Sequence, residues 1–182
     1  MKTALLVIDI QNDYFEGGTM TLTGSDSASM NASLILNRFR TNDMPVVHIQ
    51  HIATNPTATF FLPDTFGAEI HKNVTPLVEE KVFIKHYPNS FRDTGLHEYL
   101  QSICVKDLVI CGMMTHMCVD ATTRAAKDVG YTCTVIGDAC ATKDLELNGK
   151  KVKAEYVQLS FLAALAYFYS TVVSANQYLN AI

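Results

Sequence analysis

Apolar residues in this chain fall into short unbroken runs separated by more polar stretches of helical period. The first run, T-A-L-L-V-I at residues 3–8, has no polar alternation and ends at Asp9. Continuous hydrophobicity over so few residues predicts a strand covered on both faces, as in a parallel sheet. The runs P-V-V-H-I-Q-H-I (45–52), K-V-F-I-K-H-Y (81–87), D-L-V-I-C (107–111) and T-C-T-V-I (132–136) read the same way, and a short last strand is expected at 170–173. Helical segments lie between them. Ser25 or Asp26 is placed to cap a helix with an apolar stripe of Met30, Leu34, Ile35 and Phe39, which Asn42-Asp43 ends. Further helices are predicted over 96–103, over 121–129 with Gly130 as its cap, and over 152–169. Strands alternating with helices give an α/β domain with a mostly parallel sheet.

Open sheets of this kind place their ligand crevice at the carboxyl ends of the strands. Asp9 follows the first strand, Lys85 stands near the end of the third, and Cys118 lies just beyond the fourth, past a bend at Gly112. A helix starting at Val119 puts Cys118 in its first turn, where free N–H groups and the helix dipole favour a thiolate. Lys85 is unusual after the apolar run V-F-I, because a buried ammonium needs a counter-charge, and Asp9 could supply it. Together the three make a chemical unit. The ammonium favours the thiolate, and the carboxylate can take the thiol proton and return it to a leaving group.

Composition narrows the classes. The chain of 182 residues fits one domain, residues 1–182, with 48% hydrophobic and 18% charged residues. A net charge of −4 with no basic stripe argues against a nucleic-acid partner. Five cysteines with no C-x-x-C pair argue against a disulfide framework or a zinc site and fit a reducing cytoplasm. No signal-peptide pattern is found, and the apolar segment 159–173 is too short and too interrupted to cross a membrane. No G-x-G-x-x-G or Walker A sequence follows a strand, so no cofactor is expected. The irregular stretch 53–80, with Phe60, Phe61 and Phe66, reads as a packed loop covering a small-molecule substrate.

The segments V-I-D-I-Q-N-D-Y-F, I-K-H-Y-P-N-S-F and G-M-M-T-H-M-C-V, in this order and spacing, resemble the cysteine hydrolases of the isochorismatase-like superfamily. The likeness continues through A-T-T-R-A-A-K-D-V-G-Y to G-D-A-C-A-T and covers nearly the whole chain. It implies a doubly wound sheet of about six strands with helices on both faces, a three-layer α/β/α arrangement. It also implies a catalytic triad of Asp9, Lys85 and Cys118, in which Cys118 forms an acyl-enzyme. A cis peptide at Met113–Met114 would aim the Met114 N–H and the Cys118 N–H at one oxyanion. Substrate contacts would come from Gln11, Phe15, His51, Phe60, Phe61, Tyr87, Thr115 and His116.

Departures from the superfamily's branches decide among activities. Nicotinamidases of the superfamily bind a metal through an Asp-x-His and a further His after the second strand. Here the region reads V-V-H-I-Q-H-I-A-T, without an aspartate, and His48 and His51 fall on opposite faces of an extended strand. No metal is therefore expected. The isochorismatases that cleave an enol ether lack the nucleophilic cysteine, whereas Cys118 is present. The resemblance thus favours hydrolysis of a C–N bond in a small amide, lactam or carbamoyl compound, with streptothricin hydrolase among the similar members. The alternatives are a vinyl-ether hydrolase that uses Asp9 without a covalent intermediate, and a non-catalytic protein on the same scaffold. The apolar segment F-L-A-A-L-A-Y-F-Y and the habits of the superfamily point to a homodimer or homotetramer.

Overall fold

The computed structural model describes residues 2–181. Its elements are β1 (Lys2–Ile8), α1 (Ser25–Thr41), β2 (Val46–His51), β3 (Lys81–Lys85), α2 (Leu96–Ser102), β4 (Val105–Met113), α3 (Asp120–Asp128), β5 (Thr132–Ala141), β6 (Leu145–Leu147), β7 (Lys150–Val152), α4 (Ala154–Phe168), β8 (Thr171–Val173) and α5 (Ala175–Asn180). Six strands form one sheet in the order β3-β2-β1-β4-β5-β8, each neighbouring pair parallel. β6 and β7 make a separate hairpin.

The central strand explains the layers. Leu5 and Val7 of β1 pack with Ala28, Ala32, Ile35, Leu36 and Phe39 of α1 on one side. Ala4, Leu6 and Ile8 pack on the other with Leu96 and Leu100 of α2, Ala126 of α3 and Leu165 of α4. Residues of period two thus feed two cores, which is why the run 3–8 shows no polar alternation. Chain order reverses between β1 and β4, so the crevice at their carboxyl ends is the switch point where ligands bind in such sheets.

Several boundaries differ from the pattern-based expectation. The buried face of α1 is built on Ala28 and Ala32, whereas Met30 and Leu34 are exposed. Ile35 and Phe39 of the expected stripe are fully buried, and the small residues Ala28 and Ala32, in place of Met30 and Leu34, complete the face and let the helix approach the sheet. Its N-cap is Gly24, with φ +77° and no side-chain cap, rather than Ser25 or Asp26. Gly112 is not a strand end, since β4 runs on to Met113. It is glycine because φ is +138° and a Cβ would collide with the Ile8 backbone. β5 also continues through the expected turn to Ala141, and its pairing with β4 shifts between Ile110 and Gly112. Phe66 is exposed, so the packed aromatics of loop 53–80 reduce to Phe60 and Phe61.

Candidate active site

Asp9, Lys85 and Cys118 meet at the carboxyl edge of the sheet. Asp9 leaves β1 with φ +50°, a left-handed conformation that aspartate tolerates, while its N–H still donates to Ile49 of β2 at 3.0 Å. Lys85 ends β3, two strands away, and its long side chain lies back across β2 to reach Asp9. Its Nζ stands 2.8 Å from Asp9 Oδ2, with both side chains fully buried. The ammonium also donates to the carbonyls of Tyr87 (3.1 Å) and Pro88 (3.2 Å). Cys118 sits in a π-helical turn, Thr115–Val119, that leads into α3. The Met117 and Val119 N–H groups both donate to the Met114 carbonyl, and the Met113–Met114 peptide is cis.

One carboxylate oxygen of Asp9, a ring nitrogen of His51 and the Cys118 sulfur all lie within 4.8 Å of one another. Among the described residues, neither Asp9 oxygen has a hydrogen-bond partner beyond the Lys85 ion pair. The carboxylate is thus free to accept a proton from the thiol. Burial works against the Lys85 ammonium, but the Asp9 carboxylate and the Cys118 sulfur outweigh it, and its affinity for the proton rises. Burial opposes the lowering that the helix start and the Lys85 ammonium were expected to bring to the thiol. Burial and the Asp9 carboxylate push Cys118 well above the ordinary thiol range, against the pull of Lys85. Ionisation of the free thiol is thus disfavoured, while the ammonium form of Lys85 is favoured.

Asp9, His51 and Cys118 also have the donor types of a metal site, but the Lys85 ammonium beside Asp9 and His51 opposes a second cation there. His48 cannot join them, because its Nε2 is bonded to Glu80 at 2.9 Å away from the site.

The family model of the isochorismatase domain matches residues 3–165. The chain belongs to the isochorismatase family. It is 52% identical over 179 residues to the isochorismatase family protein YddQ of Bacillus subtilis (strain 168), covering 98% of this chain and 99% of YddQ. It is 34% identical over 142 residues to a streptothricin hydrolase of Streptomyces noursei, covering 78% of this chain and 50% of that protein. Among solved structures, an isochorismatase-type hydrolase from Oleispira antarctica superposes with a TM-score of 0.94 at 48% identity, covering 98% of this chain and 96% of that one. The isochorismatase fold and the hydrolase family membership of the chain are thereby established.

The remaining residues expected at this isochorismatase-family site divide. His51, Phe60 and Tyr87 line a cleft of about 390 Å³ beside the triad. Phe61 is buried behind it, its ring 5.0 Å from Phe60 and 5.9 Å from His51. Gln11 does not face the cleft. Its amide is fully used, donating to the carbonyls of His51 and Ala68 and accepting from the His51 N–H. Phe15 is stacked on His71 at 3.7 Å, and the Thr115 hydroxyl donates to Gln158 Oε1 at 2.7 Å, with the Ala141 carbonyl 3.2 Å away. His116 Nδ1 is bonded to Thr142 Oγ1 at 2.6 Å, with Phe161 beside the ring. Two residues escaped the sequence reading. His86 lines the cleft, and Asp13 holds its loop by accepting from the Phe61 N–H (2.7 Å) and from Thr19. A polar residue next to Lys85 and a second aspartate in Q-N-D-Y were the only signals.

Proposed function

We propose that this protein is a metal-independent cysteine hydrolase that cleaves a C–N bond of a small amide, lactam or carbamoyl compound. The observation that carries the reading is the buried Lys85–Asp9 pair at 2.8 Å with the Cys118 sulfur within 4.8 Å of an Asp9 oxygen. The likeness to a streptothricin hydrolase supports a hydrolytic role for this arrangement.

Asp9 takes the Cys118 proton as sulfur attacks the carbonyl carbon. The Met114 and Cys118 N–H groups receive the developing oxyanion, each donor being worth about 3–4 kcal/mol of barrier in comparable enzymes. The C–N bond breaks as Asp9 hands its proton to the leaving nitrogen, which leaves a thioester on Cys118. Water, deprotonated by Asp9, attacks the thioester; the carboxylic acid departs and the thiol regains its proton. Lys85 keeps a positive charge beside Asp9 and the sulfur throughout, so that the carboxylate and a transient thiolate can share one buried site.

The test is intact-mass spectrometry of wild type and Cys118→Ala with a panel of small amides, lactams and ureido acids, read alongside ammonia or amine release. A transient adduct on wild type alone, accompanied by turnover, is the expected result. Turnover by Cys118→Ala at the wild-type rate would overturn it in favour of Asp9 acting without a covalent intermediate, as a vinyl-ether hydrolase would.

A further inference from the structure

Two histidines line the cleft beside the triad, and their neighbours give them opposite hydrogen-bonding roles. His86 Nδ1 lies 2.7 Å from the Ile52 carbonyl oxygen. A carbonyl only accepts, so in the neutral ring Nδ1 carries the proton and Nε2 keeps its lone pair. His51 is the reverse case. Its Nδ1 faces the Lys85 ammonium at 3.5 Å, and the positive charge disfavours an N–H at that nitrogen, which places the proton of the neutral ring on Nε2. Burial lowers the proton affinity of the His51 ring; Asp9 opposes that shift, and Lys85 and His86 add to it. One ring therefore offers an N–H and the other a lone pair.

The cleft also lacks acidic and strongly basic side chains: among the described residues, no Asp, Glu, Lys or Arg side chain lines it, and Thr54, Asn55, Phe60 and Tyr87 make up most of the rest. Behind His51, Lys85 and Asp9 neutralise one another. Arg92 lies over the Tyr87 ring at 3.5 Å, but its guanidinium faces Asp93 at 3.6 Å. A carboxylate entering here would lose hydration without meeting a free cation. A neutral group carrying both a carbonyl and an N–H would find a partner for each.

We propose that this cleft selects a neutral carboxamide or ureido group in the non-reacting part of the substrate, with His51 donating to its carbonyl oxygen and His86 accepting from its N–H. The proposal rests on Cys118 being the nucleophile, and it deepens that reading by naming what the nucleophile's substrate carries.

Iodoacetamide and iodoacetate test it, since they deliver the same alkyl carbon to sulfur and differ only in a carboxamide against a carboxylate. Second-order alkylation of Cys118 is followed by peptide mass mapping in a Cys104→Ser background, which removes the exposed thiol. Relative to glutathione, Cys118 is expected to favour iodoacetamide by about tenfold, the value of roughly 1.4 kcal/mol from two neutral hydrogen bonds. His51→Leu and His86→Leu each lower that preference, and His51→Gln and His86→Gln, whose amides can supply either role, restore part of it. Thermal melts confirm that the variants are folded. A preference equal to that of glutathione, or one unchanged in both leucine variants, overturns the proposal while leaving the nucleophile intact. Cys118 that stays unmodified in the folded protein but reacts after unfolding in urea overturns the nucleophile reading, and this proposal with it.

Discussion

Lys85 Nζ lies 2.8 Å from Asp9 Oδ2 with neither side chain open to water. Two charges so placed support each other, and either alone would be stranded in the interior. Lys85→Met therefore leaves a buried carboxylate without its counter-ion, at a cost of about 3–5 kcal/mol. For a chain of this size that corresponds to a drop in Tm of roughly 6–20 °C. The double variant Asp9→Asn/Lys85→Met removes both charges and is expected to recover much of the loss in a calorimetric scan, while remaining inactive. Equal stability of wild type and Lys85→Met would show that the pair is not closed off from solvent.

The state of the thiol makes a kinetic prediction. Burial and the neighbouring Asp9 carboxylate raise Cys118 above the ordinary thiol value of 9.0. A group raised in this way stays protonated through neutral pH, so its thiolate fraction keeps increasing as pH rises. Alkylation of Cys118 by iodoacetamide in the free enzyme should thus climb steadily up to pH 9, with no plateau near neutrality. A plateau at or below pH 7 would mean that a standing thiolate is present and that Asp9 is not needed as the base.

The fold was more legible in the sequence than the chemistry of its thiol. Six parallel strands and the convergence of Asp9, Lys85 and Cys118 were legible, because unbroken apolar runs mark strands and strand ends mark the crevice. The burial that works against the thiolate was not, because position on a helix says nothing of depth. Gln11 and Thr115 looked available but are consumed by the backbone and by Gln158, contacts between distant segments that no local pattern contains. The β6–β7 hairpin carries a local signal in its turn. Asn148 and Gly149 both adopt positive φ at its turn, the preference that an Asn-Gly pair announces.

Asp13 supports the loop that carries the cleft wall. Its buried carboxylate accepts from the Phe61 N–H, the Thr19 N–H and the Thr19 hydroxyl, and a Cβ on Gly67 would collide with it. Asp13→Ala leaves the two N–H groups unpaired and should cost about 2–4 kcal/mol. Because Phe61 backs Phe60 and His51, KM for a substrate of the cleft should rise more than kcat falls. Asp13→Asn, which keeps an acceptor, should lose less on both counts. A variant of normal KM would confine Asp13 to a purely structural part.

Glu80 sets an acid limit on stability far from the active site. Burial works against its carboxylate, but Arg40 at 2.7 and 2.8 Å, the Leu77 N–H at 2.9 Å and His48 at 2.9 Å outweigh it. Together they hold its pKa down at about 2. The unfolded value is about 4.3, so the folded value is the lower one. Its stabilisation is then fully present above about pH 4.3 and is lost as pH falls toward the folded value. The Tm advantage of wild type over Glu80→Gln should hold near neutral pH and shrink across that acid window. An advantage independent of pH would place the effect in packing rather than charge.

The outer face of α4 bears on assembly. Tyr156, Leu159, Tyr167 and Phe168 are 56%, 67%, 91% and 65% exposed, while only Ala154, Val157 and Leu165 of this helix are buried. Tyr156, Leu159 and Tyr167 recur at offsets of three and eight residues, placing them along one side of the helix. Part of the Phe168 ring is covered by Lys127 of α3 at 5.8 Å. A second copy of the chain laying the same stripe across it would remove these side chains from water together, as an isologous contact requires. Light scattering after size-exclusion chromatography is therefore expected to return a dimer or a tetramer. Leu159→Glu and Tyr167→Glu, which each place a charge in the stripe, should shift the protein to monomer with little change in the far-ultraviolet circular dichroism. A wild-type monomer would show that the stripe is tolerated in water, and a charge-insensitive oligomer would move the contact to another face.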